Sequence, residues 1–321
     1  MITLGTEGTA HTVGIGIVND EGDILANVSS SYNPEEGIHP REAANHHAER
    51  LTSLVSDALN NAGIEKEDID VVSFSQGPGL GPCLRTAATA ARSLSLRLNV
   101  PLVGVNHCIA HLEIGKLRTG ASDPVLLYVS GGNTQVIAFS RGRYRVFGET
   151  LDIGLGNMLD KFGRKNGMPF PAGPIIEEKA KEGEDLIDLP YSVKGMDLAF
   201  SGIMTAALNS EAELEDLCYS LQETTFAMVT EVTERALAHT RKDEVLLGGG
   251  VTRNKRLQEM GEIMAKEREA TLHFPEGEYC IDNGAMIAWT GSLMYEAGMS
   301  IEVEDSGVKQ DFRTDDVVVN W

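Results

Sequence analysis

The stretch "ITLGTEGTAHTVGIGIV" (Ile2–Val18) decides the fold that the sequence predicts. Apolar and small residues alternate along it around four glycines, at positions 5, 8, 14 and 16. Alternation with a period of two is typical of strands, and glycine gives the backbone the freedom that a tight turn needs. We therefore predict a β-hairpin with a glycine-rich turn, followed by a third strand in "GDILANVSSSY" (residues 22–32).

Outward from this meander, the pattern changes to alternating helices and strands. The segment His39–Gly63 has proline at its start, glycine at its end and apolar residues at helical spacing, which predicts an amphipathic helix. A strand, a helix, a strand and a helix follow. Residues 124–150 then predict a second three-strand meander with a turn at Gly131–Gly132, and more helices and a strand come after it.

These patterns predict an α/β protein made of two similar units. We place the units at residues 1–121 and 122–321, and the final helix is free to pack back on the first unit. Overt identity between the halves is weak, so the duplication is inferred from the pattern alone. Glycine turns at equivalent positions indicate a nucleotide held in a cleft between the two domains.

Composition excludes several classes of protein. The chain has 321 residues, 42% of them apolar and 23% charged, which is typical of a globular protein with a large core. It shows no secretory signal and no apolar run long enough to cross a membrane, so we expect a cytoplasmic protein with its four cysteines reduced. A net charge of -21 opposes binding of nucleic acid by this chain alone.

The pair His107 and His111, in "VNHCIAHLEIG" (residues 105–115), is a candidate metal site. Residues four apart share one face of a helix, about 5–6 Å apart at Cβ, so two imidazoles can bind one divalent ion. Two unconnected helical histidines are the alternative, because this spacing is common by chance. Tyr128 and Asp282 would complete a set of two imidazoles, a phenolate and a carboxylate that suits iron or zinc. The sequence alone does not bring these groups together.

The glycine turns are candidates for nucleotide binding. "YVSGGNTQ" (residues 128–135) offers backbone N–H groups for a phosphate, although a plain hairpin turn has the same sequence features. "LLGGGVTRNKRL" (residues 246–257) has three glycines between a strand and a helix, which indicates close approach to the backbone. Carboxylates near such turns, here Asp160 and Glu177 with Gly173 beside them, suit ribose hydroxyls. Together these signals favour a nucleotide.

Nine segments, in this order, resemble one family along nearly the whole chain. It is the universal family that forms threonylcarbamoyladenosine in tRNA, once described as O-sialoglycoprotein endopeptidases. The likeness is nearest to its archaeal and eukaryotic branch, the catalytic subunit of the KEOPS complex. The segments are EGTAHTVGIGIV, HPREAANHHAE, FSQGPGLGPCLR, VGVNHCIAHLEIG, LYVSGGNTQV, GETLDIGLGNMLDKFGR, VKGMDLAFSG, GGGVTRNKRL and YCIDNGAMIAW.

The resemblance implies a fold and a set of site residues. The fold is that of actin, Hsp70 and sugar kinases, in which two ribonuclease-H-like domains surround a nucleotide cleft. One divalent metal per subunit, with iron favoured over zinc, is implied at His107, His111, Tyr128 and Asp282. An adenylate ligand, such as threonylcarbamoyl-AMP or ATP, is implied at a larger set of residues: Tyr128, Val129, Ser130, Gly131, Gly132, Asp160, Gly173, Glu177 and Asn254.

The implied reaction is transfer of a threonylcarbamoyl group from threonylcarbamoyl-AMP to N6 of the adenosine just 3′ of the anticodon, in tRNAs that read codons starting with A. The implied partners are tRNA, bound through a complex, a kinase-like ATPase that some archaea carry on the same chain, a small dimerising subunit and the other KEOPS subunits. No general base is evident in the sequence.

Three alternatives compete with this reading. A metallopeptidase of the HExxH class needs a glutamate base where this chain has Cys108. A small-molecule kinase of the same fold is disfavoured by the histidine pair and by Glu7, which stands where phosphotransferases of the fold usually have aspartate. A nucleotide-dependent interaction module without catalytic activity is the third.

Overall fold

The computed structural model describes residues 1–34 and 37–321, which form an α/β architecture. The strands are β1 (Ile2–Glu7), β2 (Thr12–Asn19), β3 (Ile24–Ser31), β4 (Val71–Gly77), β5 (Leu102–Asn106), β6 (Val125–Val129), β7 (Thr134–Ser140), β8 (Arg143–Glu149), β9 (Val193–Lys194), β10 (Asp197–Leu198), β11 (Glu244–Gly248) and β12 (Thr271–His273). The helices are α1 (Pro40–Ala62), α2 (Gly81–Leu98), α3 (His107–Thr119), α4 (Leu155–Lys165), α5 (Gly173–Ala180), α6 (Ser201–Leu208), α7 (Leu214–Thr240), α8 (Lys255–Glu267), α9 (Gly277–Cys280) and α10 (Gly284–Glu296).

The chain divides into two compact units. Unit 1 contains residues 1–118, 142–144 and 282–321, and unit 2 contains residues 119–141 and 145–281. The last forty residues therefore belong with the first unit, where α10 lies on the sheet.

The sheet of unit 1 has the order β3-β2-β1-β4-β5. Its first three strands form an antiparallel meander, and β4 and β5 continue the sheet in parallel to β1. The parallel strands are joined through α2, as parallel pairs require a crossover connection. Helix α1 begins at Pro40 and ends before Gly63, which adopts the left-handed conformation of a helix C-cap, so the predicted helix is confirmed.

The main sheet of unit 2 repeats this plan. Its order is β12-β11-β6-β7-β8, in which β6 and β7 are antiparallel while β11 and β12 are parallel to β6. Each unit therefore has a three-strand meander extended by two parallel strands, and the duplication that was inferred from pattern alone is present. A buried apolar cluster lies in each unit, centred on residues such as Ile15 and Phe74 in the first, and Phe162 and Phe226 in the second.

The glycines of the Ile2–Val18 stretch act differently from the prediction. Only Gly8 lies in the connection between β1 and β2, whereas Gly5, Gly14 and Gly16 lie within the strands. A Cβ atom on Gly5 would lie 2.2 Å from the backbone nitrogen of Ala288, and one on Gly16 would lie 2.1 Å from that of Ala285. These strand glycines therefore let the backbone of α10 rest directly on the sheet, as glycine in a strand interior often does.

Among the helices of the described residues, not one combines the length and apolarity needed to cross a bilayer.

Candidate functional site

The predicted metal helix begins immediately after a buried strand. Strand β5 ends at Asn106, whose side-chain oxygen accepts hydrogen bonds from the backbone N–H groups of Cys108 and Ile109, at 3.0 and 3.2 Å. This is an N-cap, and it satisfies donors that the first turn of a helix leaves without partners. His107 and His111 then lie in the first two turns of α3 and are almost fully buried.

Asp282 joins the two histidines from the loop between α9 and α10. Its Oδ1 lies 3.4 Å from Nε2 of His107 and 3.4 Å from Nε2 of His111. The imidazole rings are nearly perpendicular, with centroids 4.8 Å apart. Burial by itself would raise the pKa of the Asp282 carboxyl, but the two imidazoles lower it well below its usual value. Burial lowers the pKa of His111.

The three side chains fit a divalent metal ion. Their ligand atoms all lie within 4.8 Å of one another, and no other group of histidine, cysteine and acidic residues among the described positions does the same. Around a tetrahedral ion with bonds of about 2.0–2.1 Å, neighbouring ligand atoms are roughly 3.3–3.4 Å apart, as the two imidazole–carboxylate pairs are here. The predicted ligands His107, His111 and Asp282 therefore come together. Tyr128, the fourth predicted ligand, is buried on β6 of unit 2.

Cys108, between the two histidines, is packed inside the protein. It is 1% exposed, and burial raises the pKa of its thiol to about 11. The position at which an HExxH peptidase has its catalytic glutamate is therefore filled here by a neutral, buried thiol.

Sequence reasoning missed the contact that Glu7 makes with this cluster. Glu7 ends β1, is fully buried, and its Oε2 lies 3.1 Å from Nδ1 of His107. Its Oε1 accepts hydrogen bonds from both the backbone N–H and the hydroxyl of Thr9. The residue type was the only signal in the sequence: an acid inside an otherwise apolar strand needs buried partners.

The glycine turn Tyr128–Gly132 lies at the carboxyl end of β6. The carbonyl oxygens of Ser130 and Gly131 accept hydrogen bonds from Gly156 and Asn157, in the first turn of α4. Within the described residues, the N–H groups of Gly131 and Gly132 have no protein partner, and both glycines are exposed. The turn therefore offers two backbone donors on exposed residues, which suit an anion.

The neighbouring β11 meets this turn closely. Gly249 follows β11 with a φ of 91°, and a Cβ atom there would lie 2.3 Å from the carbonyl oxygen of Val129. Glycine is therefore required at this position for two reasons: the positive φ and the lack of room for a Cβ atom. The close approach that the triple glycine predicted is present, and the neighbour it admits is the backbone that follows β6.

Three of the four other residues predicted for the adenylate accept hydrogen bonds within unit 2, and the fourth, Gly173, directly follows one of the donors. Asp160, on α4, accepts from the N–H of Ala172, which directly precedes Gly173 at the start of α5. Glu177, on α5, accepts from the N–H of Lys255 at 2.8 Å. Asn254 caps α8 through its side-chain oxygen. Each carboxylate thus has a structural partner within unit 2.

Asp152 is a second acid whose contacts the sequence did not reveal. It accepts hydrogen bonds from the backbone of Phe200 and from the backbone and hydroxyl of Ser201, at the start of α6. Partial burial would raise the pKa of its carboxyl, but these donors lower it to about 2. It joins two segments, DIGLGN and LAFSG, that the sequence showed only as separate motifs.

Comparisons with known proteins agree with the residue pattern. Residues 23–289 match the family described as tRNA N6-adenosine threonylcarbamoyltransferase. The tRNA N6-adenosine threonylcarbamoyltransferase of Thermococcus kodakarensis is 58% identical over 326 residues, and the match covers 100% of both chains. A probable bifunctional tRNA threonylcarbamoyladenosine biosynthesis protein of Methanothermobacter thermautotrophicus is 58% identical over 325 residues, with 100% of this chain matched. The chain spans 61% of that bifunctional relative's length.

Solved structures with low sequence identity share the fold. HypF from T. kodakarensis superposes with a TM-score of 0.64 at 14% identity, over 92% of this chain and 47% of HypF. ROK hexokinase from Thermus thermophilus gives a TM-score of 0.55 at 15% identity, over 92% of this chain and 99% of the hexokinase. Likeness at such identity concerns the fold alone: the chain shares the fold of HypF and of this hexokinase, in agreement with the predicted α/β fold of sugar kinases.

Proposed function

The chain belongs to the tRNA N6-adenosine threonylcarbamoyltransferase family, and on that premise we propose that it transfers a threonylcarbamoyl group from threonylcarbamoyl-AMP to N6 of the adenosine just 3′ of the anticodon. The observation that carries this proposal is the 58% identity over the full length of both chains with a transferase of that name. The substrates are tRNAs that read codons starting with A.

The reaction replaces a phosphate by an amine on an activated carbonyl. The N6 lone pair attacks the carbamoyl carbon, the bond from that carbon to the phosphate oxygen breaks, AMP leaves with the electron pair, and N6 loses a proton. Adenine N6 is a poor nucleophile, so the mixed anhydride supplies the driving force. The chain's task is to hold the donor in line and to keep water from the same carbonyl.

The glycine turn and its neighbours are the proposed adenylate site. Gly131 and Gly132 would donate their N–H groups to the phosphate, with Tyr128, Val129 and Ser130 setting the course of the turn. The other adenylate residues would contact the adenosine; they are Asp160, Gly173, Glu177 and Asn254. Their support is the hydrogen-bonded network that connects α4, α5 and α8 within unit 2.

The proposed metal site consists of His107, His111 and Asp282, with Tyr128 as a fourth ligand. A divalent ion bound there would act as a Lewis acid toward the carbonyl or phosphate of the donor. Two imidazoles and one carboxylate with open positions are the ligand set of non-haem iron sites and also occur in catalytic zinc sites; we propose iron, with zinc as the alternative. The buried Cys108 thiol offers no carboxylate base for the metallopeptidase alternative.

In this proposal, partner subunits supply the positively charged surface that this chain lacks for binding tRNA. Its net charge of -21 repels phosphates, so the proposed complex must bring the cationic surface. A kinase-like ATPase subunit is supported by relatives named bifunctional, whose additional length this chain does not span. A small dimerising subunit and other KEOPS subunits complete the proposal, and we place the complex in the cytoplasm with its tRNA.

A reconstituted transfer assay tests the proposal. The chain would be mixed with its partner subunits, unmodified tRNA, ATP, threonine, bicarbonate and the enzyme that makes threonylcarbamoyl-AMP, and the modified nucleoside measured by mass spectrometry. We expect modification by the native chain and its loss in His107→Ala and Asp282→Ala. His239→Ala, on an exposed position of α7, is the matched control and should keep activity. Modification that survives both ligand variants would overturn the metal-dependent mechanism.

A further inference from the structure

We infer that Glu7 and Thr9 act as a positioning pair for His107: they hold its proton on Nδ1 and so present the Nε2 lone pair to the metal. The inference rests on the metal site of the proposed function. It concerns side chains that the family comparison does not assign and whose contacts the sequence does not reveal.

The argument begins with the donors and acceptors around Glu7. A carboxylate can only accept hydrogen bonds. Its Oε1 accepts from the N–H of Thr9 at 2.8 Å and from the hydroxyl of Thr9 at 2.6 Å. The single proton of the Thr9 hydroxyl is therefore committed to Glu7, and its oxygen has only lone pairs left to offer.

Two acceptors then face Nδ1 of His107. Glu7 Oε2 lies 3.1 Å from that nitrogen, and the Thr9 hydroxyl oxygen lies 3.4 Å from it. Neither oxygen has a proton to donate, so Nδ1 must carry one for any bond to form. In a neutral imidazole, a proton on Nδ1 leaves Nε2 with its lone pair.

That lone pair points toward the other two ligands. Nε2 of His107 lies 3.4 Å from Oδ1 of Asp282, and two lone pairs at that distance repel unless a proton or a metal cation lies between them. A metal ion would therefore take the place of a proton on Nε2, while the proton on Nδ1 stays. Metal-binding histidines usually donate their second ring N–H to a carboxylate, which fixes the ring and raises its basicity. Glu7 is that carboxylate for His107.

The pair itself is held rigidly by unit 1. Glu7 and Thr9 are 0% and 3% exposed, so water cannot substitute for the hydrogen bonds between them. The N–H of Gly8 donates to Ser75 on β4, and the carbonyl oxygen of Thr9 accepts from Leu80 just before α2. The loop that carries the pair is therefore anchored on both sides.

The Glu7→Gln change tests the pair with little change of shape. Glutamine has one oxygen and one NH₂ group, whereas this site requires an acceptor at both positions. If the oxygen faces Thr9, the NH₂ group faces Nδ1 and drives the ring proton to Nε2. If the amide is turned around, NH₂ faces the buried Thr9 donors. Either arrangement weakens the metal site.

Two measurements on the purified chain decide the inference. Two-bond ¹H–¹⁵N NMR of the metal-free, ¹⁵N-histidine-labelled protein identifies the protonated ring nitrogen of His107, with signals assigned by their loss in His107→Ala. Competition with a chromophoric chelator then gives the affinity for Zn²⁺, Co²⁺ and, without oxygen, Fe²⁺. We expect Nδ1–H in the native chain and an affinity about 10–100-fold lower in Glu7→Gln.

Glu113→Gln is the matched control. Glu113 is also a buried acid, at 2% exposure, but it accepts from Tyr144, Trp321 and Lys116 instead of a histidine. This variant should bind metal as the native chain does. Thr9→Ser, which keeps the hydroxyl, should retain the native metal affinity, and Thr9→Val should lose part of it. These two variants test the inference even if Glu7→Gln fails to fold.

Each remaining outcome is decisive. A native His107 that lacks the proton on Nδ1 overturns the inference, and so do Glu7→Gln and Thr9→Val variants that bind metal as tightly as the native chain. A native chain that shows Nδ1–H on His107 but binds no metal supports control of the proton by the pair and overturns the metal site of the proposed function. The two failures can thus be told apart.

Discussion

The two candidate binding regions are built from different parts of the chain. In unit 1, the metal cluster consists of two buried histidines and the half-buried Asp282, whose polar atoms face one another, and Glu7 contacts His107 from the other side of its ring. In unit 2, the glycine turn offers backbone N–H groups, and its geometry depends on having no side chain at Gly249. The first region should therefore respond to changes of chemical group, and the second mainly to added volume.

The largest effect is expected from Gly249→Ala. The new Cβ atom would lie 2.3 Å from the Val129 carbonyl oxygen, at a φ of 91° that alanine rarely adopts. A backbone with positive φ costs about 1–2 kcal/mol and overpacking about 1–3 kcal/mol, so we expect unit 2 to lose about 2–5 kcal/mol. Urea unfolding of both proteins measures the loss.

Gly132→Ala is the control for this change. A Cβ atom on Gly132 would meet no atom within 4 Å, and its backbone is not left-handed, so stability should be nearly native. Equal losses in the two variants would contradict the idea that crowding behind the turn, rather than glycine content, shapes the unit 2 region.

The sequence predicts those parts of each region that depend on local spacing, and it does not predict those that depend on distant contacts. Local spacing was enough for the two meanders and for His107 and His111 on one helix. Asp282 joins them only because α10 folds back onto glycines of β1 and β2, a contact across more than 260 residues that no local pattern encodes. Asp282 was predicted as a ligand from the resemblance to the family, because residue chemistry alone does not show which carboxylate joins the two histidines.

Glu7 and the strand glycines make tertiary contacts that local sequence patterns do not predict. An acid in a strand and a glycine between apolar residues each have several structural explanations. Only the packing of β1 against α3 and α10 shows that Glu7 contacts a histidine and that Gly5 admits a helix backbone. The sequence therefore predicted the elements and the histidine pair, while the inner partners needed the tertiary structure.

An effect of intermediate size is expected from pH, and it should arise in unit 1. His47 is fully buried on α1, and burial, helped by neighbouring His46, lowers its pKa from 6.5 to about 4. The unfolded chain therefore takes up this proton before the folded one does. The contribution of His47 to the free energy of unfolding is therefore fully present above pH 6.5. As the pH falls toward 4, the free energy of unfolding decreases by on the order of 2–3 kcal/mol.

Replacing His47 isolates this contribution. The pH dependence of the unfolding midpoint between pH 7 and 5 should be less steep in His47→Leu than in the native chain, because leucine takes up no proton. His239→Leu, at an exposed position of unit 2, should keep the native slope. An unchanged slope in His47→Leu would show that the acid sensitivity of unit 1 has another source.

The smallest effect is expected from Glu177→Gln, which keeps shape and removes charge in the unit 2 region. One oxygen of Glu177 accepts from the N–H of Lys255, and an amide oxygen can do the same, so stability should change little. A hydrogen bond from a ribose hydroxyl to a charged acceptor is stronger than one to a neutral acceptor by about 1 kcal/mol, which predicts adenine-nucleotide binding roughly 5-fold weaker. Calorimetric titration with a non-hydrolysable ATP analogue measures this, with Glu178→Gln, the exposed neighbour paired with Lys181, as the matched control. If both variants bind the nucleotide as the native chain does, Glu177 serves only to hold α8. Nucleotide binding in unit 2 would then depend on backbone N–H groups and not on this carboxylate.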